Sequence, residues 1–402
     1  MNEHEHTALG DASSYAPPAV LDRLQRLAVI AAVLGIIGCV IGGLTSPDSF
    51  FRAYLVGWVY WVGIAVGSLA LLMLQHMTGG AWGLIARRHL EAATRTLPYL
   101  LILFVPLFFG MSRLYIWTDE ELVKNDEILH LKSGYLNESF FFARVLIYFA
   151  IWCTLAFLLN RLSARQDSTV DETLISRFKR VSAPGLILYA LTMTFASVDW
   201  LMSLDPHWFS TMYGVYFLGS MALSALAFLI AVSMFLGRHE PMSHVIQRRH
   251  FHDWGKLMLA FTMLWAYFCY SQFLITWAGN LPEEIEWYLH RLSHGWQYVA
   301  LALVLFHFAM PFALLLSRDL KRNGQMLGRV ALFMLFIRLV DLVWQAEPSF
   351  HEHAPAFYWL YLAAPLAIGG IWLFLFVREL RKRPLLPVND PYLPEALAHA
   401  HH

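Results

Sequence analysis

The feature that most constrains this chain is the recurrence of apolar stretches about as long as a bilayer is thick. A hydrocarbon core of about 30 Å takes about 20 helical residues at 1.5 Å each. Ten stretches meet or approach that length: 27–44, 51–77, 97–117, 140–159, 183–204, 213–236, 257–277, 296–316, 330–344 and 356–377. The ninth is short and carries two charges, which makes it the weakest by hydropathy. Across the 402 residues, 58% are hydrophobic and 14% charged, whereas soluble domains carry about a quarter charged residues. Lipid is therefore the expected solvent. The expected fold is an all-α polytopic membrane protein. A ten-helix domain over 27–377 lies between a polar tail over 1–26 and a second over 378–402.

Charge fixes an orientation. Lys and Arg are retained on the cytoplasmic side of a membrane. With an even number of crossings, both tails and the second, fourth, sixth and eighth loops share a side and hold 22 of the 29 Lys and Arg. Arg52, Lys124, Lys132 and Arg291 fall on the other side, and Arg113, Arg144 and Arg338 fall inside stretches. Both termini are thus expected in the cytoplasm, with the acidic loops outside. The formal net charge of zero also argues against nucleic acid, which needs a basic face. Trp117, Trp208, Trp277, Trp287, Trp296, Trp344 and Trp359 gather near the outer ends, where amphipathic rings are expected at the interface. Gly38 with Gly42, and Gly63 with Gly67, read as seams for close helix packing. Pro106, Pro311 and Pro365 lie inside stretches and are expected to kink them.

Ionisable groups inside a bilayer cost about 2.5–3.5 kcal/mol each on insertion scales, so each needs a reason. The candidates are Arg113, Arg144, Asp199, Arg338 and Asp341, with His76 and His307 beside them. Arg338 and Asp341 are three apart, share a helix face and are suited to pair. Arg113 and Arg144 read as charge partners, or as side chains reaching back to the surface. Asp199 and Asp341 cannot reach far, so they point either to proton chemistry or to buried hydrogen bonding. His307 lies deepest and suits a proton relay, a quinone contact or a plain interhelical hydrogen bond. His76 reads as interfacial. No inner-half carboxylate is evident for a complete proton wire; Tyr267, Tyr270 and Ser271 are possible substitutes.

Cofactor ligands are scarce. Cys39, Cys153 and Cys269 stand alone in apolar runs, without the spacing of a disulfide framework, a zinc site or an iron–sulfur cluster. His294 and His307 are 13 apart on one stretch, but no second stretch offers the matching pair of a diheme arrangement. His351, His353 and the run from His399 to His402 read as solvated loop and tail.

Three motifs resemble a known family. The corner Ser197-Val198-Asp199-Trp200-Leu201-Met202-Ser203-Leu204-Asp205-Pro206-His207-Trp208 is similar to that of the NrfD/polysulfide-reductase membrane subunits. The stretch Ser271-Gln272-Phe273-Leu274-Ile275-Thr276-Trp277-Ala278-Gly279-Asn280-Leu281-Pro282-Glu283-Glu284 resembles the ActF-type subunit of bacterial alternative complex III, as does Arg338-Leu339-Val340-Asp341-Leu342-Val343-Trp344. The resemblance implies two four-helix bundles, from spans 2–5 and 6–9, flanked by spans 1 and 10. It implies a quinol-oxidising complex of the bacterial inner membrane that delivers electrons to a cytochrome c or an oxidase. Haem c and iron–sulfur clusters would sit in partners: multihaem cytochrome c subunits, an iron–sulfur subunit and a second NrfD-like membrane subunit, with a terminal oxidase as a possible further partner. For this chain it implies quinone binding, proton transfer or both, through Asp199, Asp341, Arg338 and His307. The chain is not expected to be catalytic alone.

Two other classes compete. A secondary transporter would need a midplane site between broken helices in matching positions, and no such pair is evident. A purely structural anchor would use the same charges only to hold helices together.

Overall fold

The computed structural model describes residues 15–350 and 359–398. His351, His353, His399 to His402, most of the first tail and the start of the tenth stretch lie outside the described residues. All regular structure among the described residues is helical, with no strand. Nine helical segments there are long and apolar enough to cross a membrane, so the protein is a multi-pass membrane protein.

In chain order the main helices are α1 (Val20–Thr45), α2 (Pro47–Thr78), α3 (Arg87–Thr94), α4 (Glu138–Ser168), α5 (Thr173–Trp200) and α6 (Tyr213–Leu236). They continue with α7 (Arg248–Gly279), α8 (Pro282–Arg291), α9 (Trp296–Leu303), α10 (Met310–Leu316), α11 (Gly324–Ala346) and α12 (Leu360–Leu380). A π-helical stretch, Val304–Ala309, joins α9 to α10. Pro311, which has no N–H to give the ladder, lies two residues beyond its end.

Burial sorts the helices. The apolar windows of α2 and α6 are 89% and 72% buried, against 22% for α7 and for the α9–α10 segment. The first two are therefore the central posts and the others face lipid. Close approach at the posts requires glycine: a Cβ on Gly67 would lie 2.3 Å from the Met221 carbonyl oxygen, and one on Gly35 would lie 2.2 Å from the Ala367 nitrogen. The glycine seams thus serve packing, of α2 on α6 and of α1 on α12.

Neighbour relations follow. Helix α2 packs on α3, α5, α6 and α12, and α4 packs on α5. Helix α6 packs on α7 and α11, while α9 packs on α11 and α10 on α7. The two described ends of the chain meet on one face, where the Leu385 N–H donates to the Tyr15 carbonyl at 2.9 Å. By the distribution of Lys and Arg that face is expected to be the inner one, with α8 and the short helices Glu120–Asn125 and Glu127–Lys132 expected on the outer side.

The third apolar segment differs from expectation. It begins at Arg87, ten residues before the stretch 97–117, and breaks beyond Thr94 into single turns at Leu97–Ile102, Val105–Phe108 and Met111–Leu114. Arg87, Arg88 and Glu91 are consequently buried rather than looped. Their charges are tolerated because they pair: Glu91 accepts from Arg87 Nε at 2.9 Å and from Arg88 Nη1 at 2.7 Å. Arg87 also reaches Asp390 at 2.9 Å, which folds the C-terminal segment back against α3. Four of the outer tryptophans depart from expectation too: Trp117, Trp208, Trp287 and Trp296 are buried in an outer cap, whereas Trp277 and Trp359 are exposed.

Candidate functional site

The structure brings the intramembrane charges together in two separate groups. In the first, Arg144 on α4 meets Asp199 on α5. Nε donates to Oδ2 at 2.9 Å and Nη2 to Oδ1 at 3.0 Å, a two-pronged pairing. Tyr148 donates to the same carboxylate at 2.7 Å. Arg144 Nη1 donates to the Tyr135 carbonyl at 2.8 Å, and its guanidinium lies 3.8 Å from the Tyr135 ring centroid and 4.4 Å from that of Phe140. The surrounding space is filled by Trp58, Trp152 and Trp200, each fully buried. Trp58 donates to the Leu100 carbonyl and Trp152 to Thr192, both at 2.8 Å. A pair this well satisfied holds α4 and α5 together. Arg113 belongs to neither group: it pairs with Asp48 at 2.5 Å on the exposed surface.

The second group is built differently. Arg338 and Asp341 pair along one face of α11, as the spacing predicts. Tyr216 on α6 donates to the Asp341 carboxylate, its hydroxyl lying 2.8 Å from Oδ1 and 2.9 Å from Oδ2. Gln345 Nε2 donates to the Tyr216 hydroxyl at 2.7 Å, and Tyr213 donates to Gln345 Oε1 at 3.1 Å. Beside this cluster lies a cavity of about 590 Å³. Tyr216 and Asp341 contribute to its lining, with Trp265, Trp287, Tyr288 and Trp344 as the large aromatic walls. Gln272 also lines it, and its buried Oε1 has no hydrogen-bond partner among the described residues. Met263, Tyr267, Tyr270 and Val304 line it as well and are exposed on the lipid-facing side. The cavity therefore opens sideways between α7 and α9. Large, mostly apolar and ending in a few polar groups, it has the make-up of a site for a lipid-soluble ring compound.

His307 sits behind this site in the π-helical stretch, fully buried, with its ring centroid 4.0 Å from that of Trp265. Neither ring nitrogen has a hydrogen-bond partner among the described residues, and neither does Arg338 Nη2. Such orphaned buried groups call for water or a ligand. His76 lies far from this group, stacked on Phe178 at 4.2 Å. Among the described residues, no three His, Cys, Asp or Glu side chains converge on a metal position.

An outer cap roofs the site. Trp208, in the turn between α5 and α6, stacks on Trp287 of α8 at 4.5 Å and donates to the Glu284 carbonyl at 3.1 Å. His207 meets Asp126 at 2.7 Å, tying that turn to the helix Glu127–Lys132. The N–H of Leu129 and His207 hold the Asp126 carboxyl below its ordinary range. Burial pushes the Asp205 carboxyl up, with the positive charge of Arg291 opposing.

Reading the sequence missed Tyr216, Gln345, Tyr213 and Gln272. Tyr213, Tyr216 and Gln272 sit in stretches counted as apolar and Gln345 just beyond the end of one, and only the fold shows what their polar ends meet. No protein-family model matches the chain, and no curated protein matches it.

Proposed function

We propose that this chain is an integral membrane subunit of a quinol:electron-acceptor oxidoreductase of the alternative complex III type, and that the cavity beside Asp341 takes the quinol. The cavity carries the reading. It is apolar, open towards lipid, and ends on a carboxylate and a phenol held in fixed positions. Oxidising a quinol releases two electrons and two protons; the electrons would pass to haem c or iron–sulfur clusters in partner subunits. The chain's own part is to position the ring and to accept the two protons one after the other. Asp341 is the acceptor, Tyr216 and Arg338 hold its carboxylate, and Gln272 Oε1 offers an acceptor to a quinol hydroxyl. The aromatic walls exclude water.

The ten-span arrangement belongs to this proposal. Helix α11 has 23 residues, enough to cross a bilayer core at 1.5 Å per residue. Counting it as a tenth crossing puts both chain ends on one face, in agreement with the contact between Tyr15 and Leu385. Spans 2–5 and 6–9 then form two four-helix bundles, flanked by α1 and α12. The first is filled by tryptophan and the second holds the cavity. The basic inner face supports placing both termini in the cytoplasm of a bacterial cell, and the acidic outer face supports docking of the haem and iron–sulfur partners there.

The experiment is quinol oxidation by membranes carrying Asp341→Asn. Loss of a positioned proton acceptor is expected to lower the rate about 100-fold or more, with the complex still assembled. An unchanged rate would refute the assignment. Asp199→Asn, by contrast, is expected to act through the amount of folded protein.

A further inference from the structure

On the side where the two described chain ends meet, the cations outnumber the carboxylates that could neutralise them. Arg87 and Arg88 are served from within: both pair with Glu91, Arg87 also with Asp390 and Arg88 also with Asp167. Beside them stand four more cations, Arg95 just beyond α3 and Arg378, Lys382 and Arg383 at the end of α12. These four bring one carboxylate, Glu379, which meets Arg378 at 3.1 Å and Lys382 at 2.5 Å. Two cations with three carboxylates, next to four cations with one, leave a net charge of +2.

The excess is concentrated at one seam. Arg95 Nε donates to Asn160 Oδ1 of α4 at 2.7 Å, and Arg383 Nη1 donates to the Asn160 carbonyl at 3.2 Å. Beyond Asn160, each guanidinium has only a long contact to the already engaged Glu91, at 3.8 and 4.0 Å. Their side chains are 16% and 22% exposed, so donors in the fixed fork that suits a phosphate remain open to the surface. Arg378 reaches the same place from α12, donating to the Tyr99 hydroxyl at 2.6 Å, one turn along from Arg95.

The seam continues as apolar surface. Ile102 lies seven residues from Arg95, two turns on, and so shares its face. There the third segment and α4 leave a groove of about 300 Å³, lined among others by Ile102, Val105, Phe108, Phe142 and Leu146, all but Phe142 exposed. Phe157, exposed on α4 one turn from Asn160, lies between the cations and the groove. The groove begins about 10 Å from Arg95 at 1.5 Å per residue, within the roughly 15 Å that one leaflet's hydrocarbon spans. A helix, about 10–12 Å across with its side chains, is too thick for it.

We infer that this seam binds an anionic phospholipid, with its phosphate on Arg95 and Arg383 and one acyl chain in the groove between the third segment and α4. A basic pocket between helices at the headgroup level is the kind of place where such lipids are held. The lipid braces the part of the third segment that is broken into single turns, and ties it to α4 and α12. The inference is independent of what the cavity beside Asp341 takes.

The test uses the full chain in phosphatidylcholine nanodiscs that carry a trace of lipid with a photoactivatable acyl chain, on either a phosphatidylglycerol or a phosphatidylcholine headgroup. After illumination, the labelled peptides are identified by mass spectrometry. Label is expected around Ile102–Phe108 and Phe142–Leu146, stronger from phosphatidylglycerol by about tenfold or more. Arg95→Gln combined with Arg383→Gln is expected to remove that preference. Ile102→Trp, at a position 64% exposed where an added ring leaves the core alone, is expected to lower the label from both probes with the yield of folded protein unchanged. Equal labelling by the two headgroups in the wild type overturns the inference, as does a preference that survives the arginine changes or a label that survives Ile102→Trp. Loss of the label on adding millimolar inorganic phosphate would make this a free-anion site instead. A label present in the chain alone but absent in complex taken from native membranes would give the groove to a partner subunit, and would equally overturn it.

Discussion

At the residue scale, Asp199 and Asp341 look alike in the sequence, each a lone carboxylate near the outer end of an apolar stretch. Their partners separate them. Asp199 is closed off by a two-pronged arginine, a tyrosine and three buried tryptophans, whereas Asp341 lines an open cavity. Removing one partner of a buried pair leaves an uncompensated charge and costs about 3–5 kcal/mol. Asp199→Asn is therefore expected to lower the stability of the purified chain by about that much, measured by thermal unfolding in detergent. Glu91→Gln is expected to do the same, because Arg87 and Arg88 lose their shared acceptor. A wild-type unfolding curve for either variant would show that its pair contributes nothing. The ionisable groups themselves were legible, since any charge in an apolar stretch stands out. Their partners were not. Tyr148 and Tyr216 reach Asp199 and Asp341 across separations of 51 and 125 residues, and no local period encodes such a meeting.

At the element scale, nine apolar stretches correspond to helices long and apolar enough to span, because burial in lipid leaves the backbone no other way to satisfy itself. The third segment was misplaced at its inner end. Arg87, Arg88 and Glu91 read as a polar loop, and nothing nearby in the chain reveals that Asp390 returns to cover them. The outer cap carries its own pH dependence. The Asp126 carboxyl is held below its ordinary range by the Leu129 N–H and by His207. A depressed folded pKa stabilises above the unfolded value, and that contribution is lost as pH falls through the folded one. The link between the helix Glu127–Lys132 and the turn at His207 is thus expected to weaken from about pH 4 downward. Faster amide exchange at Ile128 and Leu129 below that pH would report the loss. Asp126→Asn is expected to show the faster exchange already at neutral pH. Exchange unaffected by either change would mean that the contact does not hold the loop.

At the scale of the whole molecule, a space of about 590 Å³ lies beside Asp341, whereas Asp199 is surrounded by buried tryptophans. Hydropathy could count helices but could not locate that space, since Trp265, Trp287 and Trp344 line the cavity with the same residue type that fills the other core. Overall topology is open to a simple check. Arg26→Cys and Lys382→Cys are expected to react with an impermeant thiol reagent from one side of the membrane, and Glu121→Cys from the other. Labelling of Arg26→Cys and Lys382→Cys from opposite sides would remove α11 from the list of crossings.

The most direct measurement is equilibrium binding of a short-tailed quinol analogue to the purified chain in lipid nanodiscs, compared with Ala300→Trp. Ala300 lines the cavity, and an indole there would occupy the space the ring needs. Saturable binding by the wild type is predicted, weakened about 10- to 100-fold in the variant, with thermal unfolding changed by only a few degrees. Equal binding by both proteins, or none by the wild type, would contradict the account.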